Sequence, residues 1–88
     1  MADVVIYGRP GCCLCDDALE VLQRVRAQWP FDLHERDIEQ DEALLRRYLE
    51  RIPVVAIDGV EVFELIVDEA EFARQVSRAL TAGTPLVE

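Results

Sequence analysis

The sequence has no long apolar run: its longest uninterrupted ones span residues 4–7 and 52–57 of 88. A membrane-spanning helix needs about 20 such residues, so a transmembrane segment is excluded. Basic residues are scarce, with 9 Lys plus Arg against 18 Asp plus Glu and a net charge of −9. A phosphate backbone is bound by clustered positive charge, which argues against a nucleic-acid partner. The surplus carboxylates read as a solvating surface. Cysteine is absent outside positions 12, 13 and 15. A disulfide-stapled scaffold is thereby excluded, because such scaffolds tie distant segments together. The amino terminus lacks the basic stretch and apolar run of a secretory signal, so a cytoplasmic location is expected. No linker, repeat or low-complexity tract divides the chain, and residues 1–88 read as one domain with a single core.

What is present alternates between strand and helix patterns. Residues 3–8 are rich in β-branched and aromatic side chains and are closed by Gly8, Pro10 and Gly11, which predicts a buried strand. From Cys15 the apolar positions Ala18, Leu19, Leu22, Val25 and Trp29 recur at steps of three and four, predicting an amphipathic helix ended by Pro30. Residues 31–38 alternate in part and suggest a half-exposed strand. Residues 41–50 carry Leu44, Leu45, Tyr48 and Leu49 at helical spacing, with acidic residues in front and Arg46, Arg47 and Arg51 behind. That order suits the helix dipole at both ends.

Two further strands, residues 53–57 and 60–63, flank Asp58-Gly59, a dipeptide suited to a tight hairpin turn. Asp68 is placed to cap a last helix with the stripe Phe72, Val76 and Leu80, and Glu71 completes the pattern of a capping box. Gly83 and Pro85 are its expected stop. The order β-α-β-α-β-β-α implies an α/β domain with a parallel first pair, an antiparallel hairpin and hence a mixed four-stranded sheet, flanked by helices on both faces.

The cysteines fall at the predicted strand-to-helix junction. There the helix dipole and the first backbone N–H groups favour a thiolate, the attacking species in thiol chemistry. Cys12 is the expected nucleophile and Cys15, one turn later and more enclosed, the resolving thiol. Arg9 offers a nearby positive charge, or is simply solvated, whereas Asp16 and Asp17 oppose the thiolate. Cys13 leaves the helix start in a different direction. It reads as a spectator, with an auxiliary thiol as the alternative.

With Tyr7, Arg9, Cys12, Cys15, Ala18, Leu22 and then Arg51-Ile52-Pro53 before a hairpin, the sequence resembles the glutaredoxin-like members of the thioredoxin superfamily over essentially its whole length. The resemblance implies a thioredoxin-like fold and a small thiol–disulfide oxidoreductase acting on a protein or small-molecule thiol or disulfide, as a monomer without a bound cofactor. It also implies a cis peptide at Pro53, beside the cysteine pair, and backbone pairing of Ile52 with the incoming substrate. Tyr7 and Arg9 would complete the substrate groove. Glutathione is one electron donor the resemblance offers; the glutaredoxins that use it hold its γ-glutamyl end with a Gly-Gly and a following acidic residue after the hairpin. Here that stretch reads Phe63-Glu-Leu-Ile-Val-Asp68 and has no glycine pair, so its binding motif is not matched.

Two other readings compete. Clustered thiolates at Cys12, Cys13 and Cys15 suit Zn²⁺, Cu⁺ or an iron–sulfur cluster, but a closed tetrahedral zinc site wants four ligands and only His34 is available elsewhere. The third reading is a non-catalytic thioredoxin-like interaction module. Tyr7 and Trp29 do not favour it, since both suit core or helix-cap packing better than an exposed recognition surface.

Overall fold

A computed structural model describes residues 2–82. The chain runs through β1 (Asp3–Gly8), α1 (Cys13–Arg26), β2 (Asp32–Asp37), a 3-10 turn (Ile38–Gln40), α2 (Glu42–Tyr48), β3 (Val54–Ile57), β4 (Val60–Glu64) and α3 (Glu69–Ala82). The strands lie in the order β2-β1-β3-β4. β1 is parallel to β2 and antiparallel to β3, which pairs antiparallel with β4. This is the mixed sheet expected of a thioredoxin-like fold.

Strand alternation sends side chains to opposite faces and so builds two cores. Val4, Ile6, Val55 and Ile57 face one way and pack with Ala18, Leu22 and Val25 of α1 and Phe72 and Val76 of α3. Phe31 meets Phe72 edge-on, ring centres 5.6 Å apart. On the other face Val54 packs with Ile38, Tyr48, Ile52 and Cys15, with Leu44 and Leu45 of α2 against them. The second core therefore contains one of the cysteines.

Helix α1 begins two residues before the expected Cys15, because Cys12 has an extended backbone (φ −91, ψ 110) and acts as the N-cap. It also ends well short of Pro30. The N–H groups of Gln28 and Trp29 both return to the Val25 carbonyl, closing the helix in a turn. This leaves Trp29 40% exposed, in the turn that closes the helix and not in the core.

The other ends follow their capping residues. Asp41 accepts the N–H groups of Ala43 and Leu44 at 2.8 and 3.4 Å and starts α2. Asp68 accepts the N–H of Glu71 at 3.2 Å. Glu71 turns its own carboxylate to Gln75 and Arg74, so the Asp68 half of the capping box is the half that forms. The expected stop at Gly83 and Pro85 lies outside the described residues. Asp58 (φ 51) and Gly59 (φ 87) both take the positive φ values that a two-residue hairpin turn demands. Among the described residues, no helix is long and apolar enough to cross a membrane.

Candidate functional site

The three cysteines are free thiols in three environments: Cys12 half-buried, Cys13 exposed and Cys15 buried. The N-cap position turns the Cys12 side chain back over the first turn of α1, where its Sγ accepts the Cys15 N–H at 3.2 Å. The first cysteine is therefore the one with a helix-terminal donor aimed at its sulfur. Cys15 is pushed up to about 12, first by burial and then by the hydrogen bond its thiol gives to Cys12. A bond from the Arg9 backbone N–H opposes this shift, and the negative charge of Asp16 adds to it. Of the pair, Cys15 is thus the thiol that burial and its bond to Cys12 hold protonated.

Arg9 contributes its backbone at this point, while its side chain pairs with Glu39 at 3.0 Å. It is not a free positive charge beside Cys12. A cleft of about 300 Å³ opens at the other side of Cys15, between Asp16 and Leu19 of α1 and Glu35 and Asp37 of β2.

Ile52 shares the second core with Cys15, and Cys12 and Tyr7 pack against that cluster. The Ile52–Pro53 peptide is cis. Tyr7 stacks on Tyr48 with ring centres 4.5 Å apart and planes 27° from parallel. The structure therefore brings Tyr7, Cys12, Cys15, Ile52 and Pro53 together, and leaves Cys13 in solvent. Among the described residues, no group of three His, Cys, Asp or Glu side chains is gathered to hold a metal ion. His34 lies on the edge strand β2, its Nε2 3.9 Å from the Asp3 carboxylate.

Comparison with known proteins identifies the family. The Glutaredoxin-like domain (DUF836) family matches residues 3–79. The chain belongs to that family. Among solved structures it is similar to protein Ne2328 from Nitrosomonas europaea, at 28% identity and a TM-score of 0.73, over 84% of this chain and 89% of that one. It is also similar to XcR50 from X. campestris, whose solution structure is 32% identical with a TM-score of 0.62, over 99% of this chain and all of the other. A thioredoxin from Halobacterium salinarum, 20% identical over 99% of this chain and 78% of its own with a TM-score of 0.67, shares the fold. No curated protein matches.

Three features of this glutaredoxin-like domain carry no signal in the local sequence. Gly8 reads in the sequence only as a strand end, yet a methyl group there would lie 2.9 Å from the Cys15 Sγ. Tyr48 reads in the sequence as one position of a helical stripe, yet its hydroxyl donates to Glu61 at 2.6 Å across to β4. Arg51 reaches the same Glu61 at 2.8 Å and Glu64 at 3.0 Å, and the Arg47 and Arg51 guanidiniums each lie 5.4 Å from the Tyr48 ring centre. Burial and the bond to Glu61 push the Tyr48 phenol up to about 12, and the same bond, with Arg51, holds Glu61 below its ordinary value. Glu61 lies 13 residues from Tyr48 and 10 from Arg51, so nothing local in the sequence names its partners. The third feature is Leu65, whose φ of 71 is a glycine-like value on a leucine.

Proposed function

We propose that this domain is a thiol–disulfide oxidoreductase whose dithiol is Cys12 and Cys15. The observation that carries the reading is the hydrogen-bonded pair itself: a half-buried Cys12 sulfur that accepts the Cys15 N–H, next to a buried Cys15 that keeps its proton. Cys12, as thiolate, attacks one sulfur of a substrate disulfide, forms a mixed disulfide and expels the other sulfur as a thiolate, which takes up a proton. Cys15 then gives up its proton and attacks the Cys12 sulfur. The Cys12–Cys15 bond forms, the second substrate thiolate leaves, and two electrons have passed from the dithiol to the substrate.

Ile52 supports the same reading. The Arg51 N–H is taken by the Tyr48 carbonyl, and the Arg51 and Pro53 carbonyls both accept the Leu65 N–H, whereas the Ile52 backbone has no partner among the described residues. Its N–H and C=O are unpaired, and in this reading they bond an incoming main chain. Cys13 takes no part in this scheme, and Arg9 acts through its backbone N–H to Cys15.

The test is a redox titration in dithiol buffers with peptide mass spectrometry at each potential. One two-electron transition is expected, about 30 mV per tenfold change in buffer ratio, linking Cys12 to Cys15 with Cys13 free. A pair that never closes reversibly overturns the assignment.

A further inference from the structure

Where β4 ends, the backbone takes a shape that the residue there does not favour. Leu65 has φ 71, and the Ile66 N–H bonds the Glu64 carbonyl at 2.8 Å, so Leu65 is the central residue of a γ-turn of the rarer, positive-φ kind. Glycine enters this region freely and leucine only against the clash of its Cβ. Solvation compounds the mismatch: Leu65 is 43% and Ile66 73% exposed. Two large apolar side chains thus stand in water on a strained corner, an outlier of the kind that gathers at functional sites.

Hydrogen bonds tie this corner to the thiol site. The Leu65 N–H bonds the carbonyls of Pro53 at 2.9 Å and Arg51 at 3.2 Å, on either side of Ile52, and the preceding Glu64 is paired with Arg51. The unpaired backbone of Ile52 and the apolar corner are therefore held to each other as one unit. From this we infer that Leu65 is a specificity-determining residue, and that the substrate it selects is an extended polypeptide disulfide with an apolar side chain near its cysteine. The inference rests on the oxidoreductase reading and adds the substrate class to it. A polypeptide supplies both a main chain to pair with Ile52 and a side chain to cover Leu65 and Ile66. A small disulfide supplies neither.

The experiment compares kcat/KM for three substrates: a disulfide-linked peptide with leucine two residues from its cysteine, the same peptide with serine there, and the mixed disulfide of glutathione and 2-mercaptoethanol. Wild type is expected to prefer the leucine peptide to each of the others by about tenfold, the scale of one apolar contact at a site. Leu65→Gly suits the positive φ, so the corner keeps its shape and loses its wall. It is expected to lose most of that preference through KM, with the Cys12–Cys15 potential unchanged. Ile66→Ser is expected to lose a smaller part. A preference unaltered in Leu65→Gly, or a wild type that favours the glutathione disulfide, overturns the inference while leaving the dithiol chemistry intact. A wild type that turns over none of the three, with no reversible Cys12–Cys15 couple, overturns the oxidoreductase reading and this inference with it.

Discussion

Gly8 leaves the space that the Cys15 sulfur fills: a methyl group on Gly8 would lie 2.9 Å from Sγ and 3.2 Å from Cβ of Cys15. The glycine is needed for close approach, since β1 must pass directly behind the buried thiol. Gly8→Ala is therefore expected to push the sulfur aside. Overpacking of this kind costs about 1 to 3 kcal/mol, read as a lower urea midpoint. The Cys12–Cys15 equilibrium in dithiol buffer should move with it. An unchanged midpoint and unchanged potential would show that the sulfur has room the structure does not give it.

Alkaline pH should unfold the protein earlier than its acidic composition suggests. Cys15 is raised from 9.0 to about 12 and Tyr48 from 10.0 to about 12, in both cases chiefly by burial. In the unfolded chain these groups lose their protons near their ordinary values, while the folded protein still holds them. The unfolded state then binds fewer protons, so stability is full below about pH 9 and falls as pH rises towards 12. Urea midpoints between pH 8 and 11 check this. Tyr48→Phe should flatten the part of the loss above pH 10, where the phenol would otherwise ionise in the unfolded chain.

Tyr48→Phe tests the bridge from α2 to β4 as well. Removing the hydroxyl deletes a 2.6 Å hydrogen bond to a carboxylate that keeps Arg51 as a partner. A loss of about 1 to 2 kcal/mol is expected at neutral pH. Glu61 is depressed below 4.5, first by Tyr48 and then by Arg51, so its contribution is present above that pH and lost as pH falls through its folded value. The variant should show a shallower acid loss than wild type. Equal acid slopes would assign the effect to Arg51 alone.

Cys13→Ser should leave the dithiol couple where it is. Cys13 is exposed and lies outside the core cluster that holds Cys15 and packs Cys12. Peptide mapping of the oxidised variant should give the same Cys12–Cys15 link at the same potential. A shift in potential, or loss of the link, would make Cys13 part of the couple.

Much of this was legible along the chain because it depends on local chemistry. The β-branched runs in residues 3–8 and 53–57, the stripe Ala18, Leu22 and Val25, the Asp58-Gly59 turn, the acidic residues in front of 41–50 and the Asp68 cap each act within a few residues of backbone. From their order the mixed sheet and its covering helices follow, and with them the place of Cys12 at the start of a helix. Helix ends were less legible, since the chain reverses on Val25 before Pro30 is reached, and Trp29 is exposed as a result.

Tertiary structure decided what depends on groups far apart in sequence. Arg9 turns its guanidinium to Glu39, Tyr48 finds Glu61 across the second core, and Leu65 closes on the carbonyls of Arg51 and Pro53. The sulfur of Cys15 takes the room left by Gly8, and its raised pKa follows from that burial. Sequence by itself determined which elements form and which side chains carry sulfur, because helix, strand and turn are set by neighbours a few bonds away. The proton affinity of a thiol and the partner of a carboxylate are set by solvent exclusion and by charges brought near only when the chain is folded, so only the folded structure could assign them.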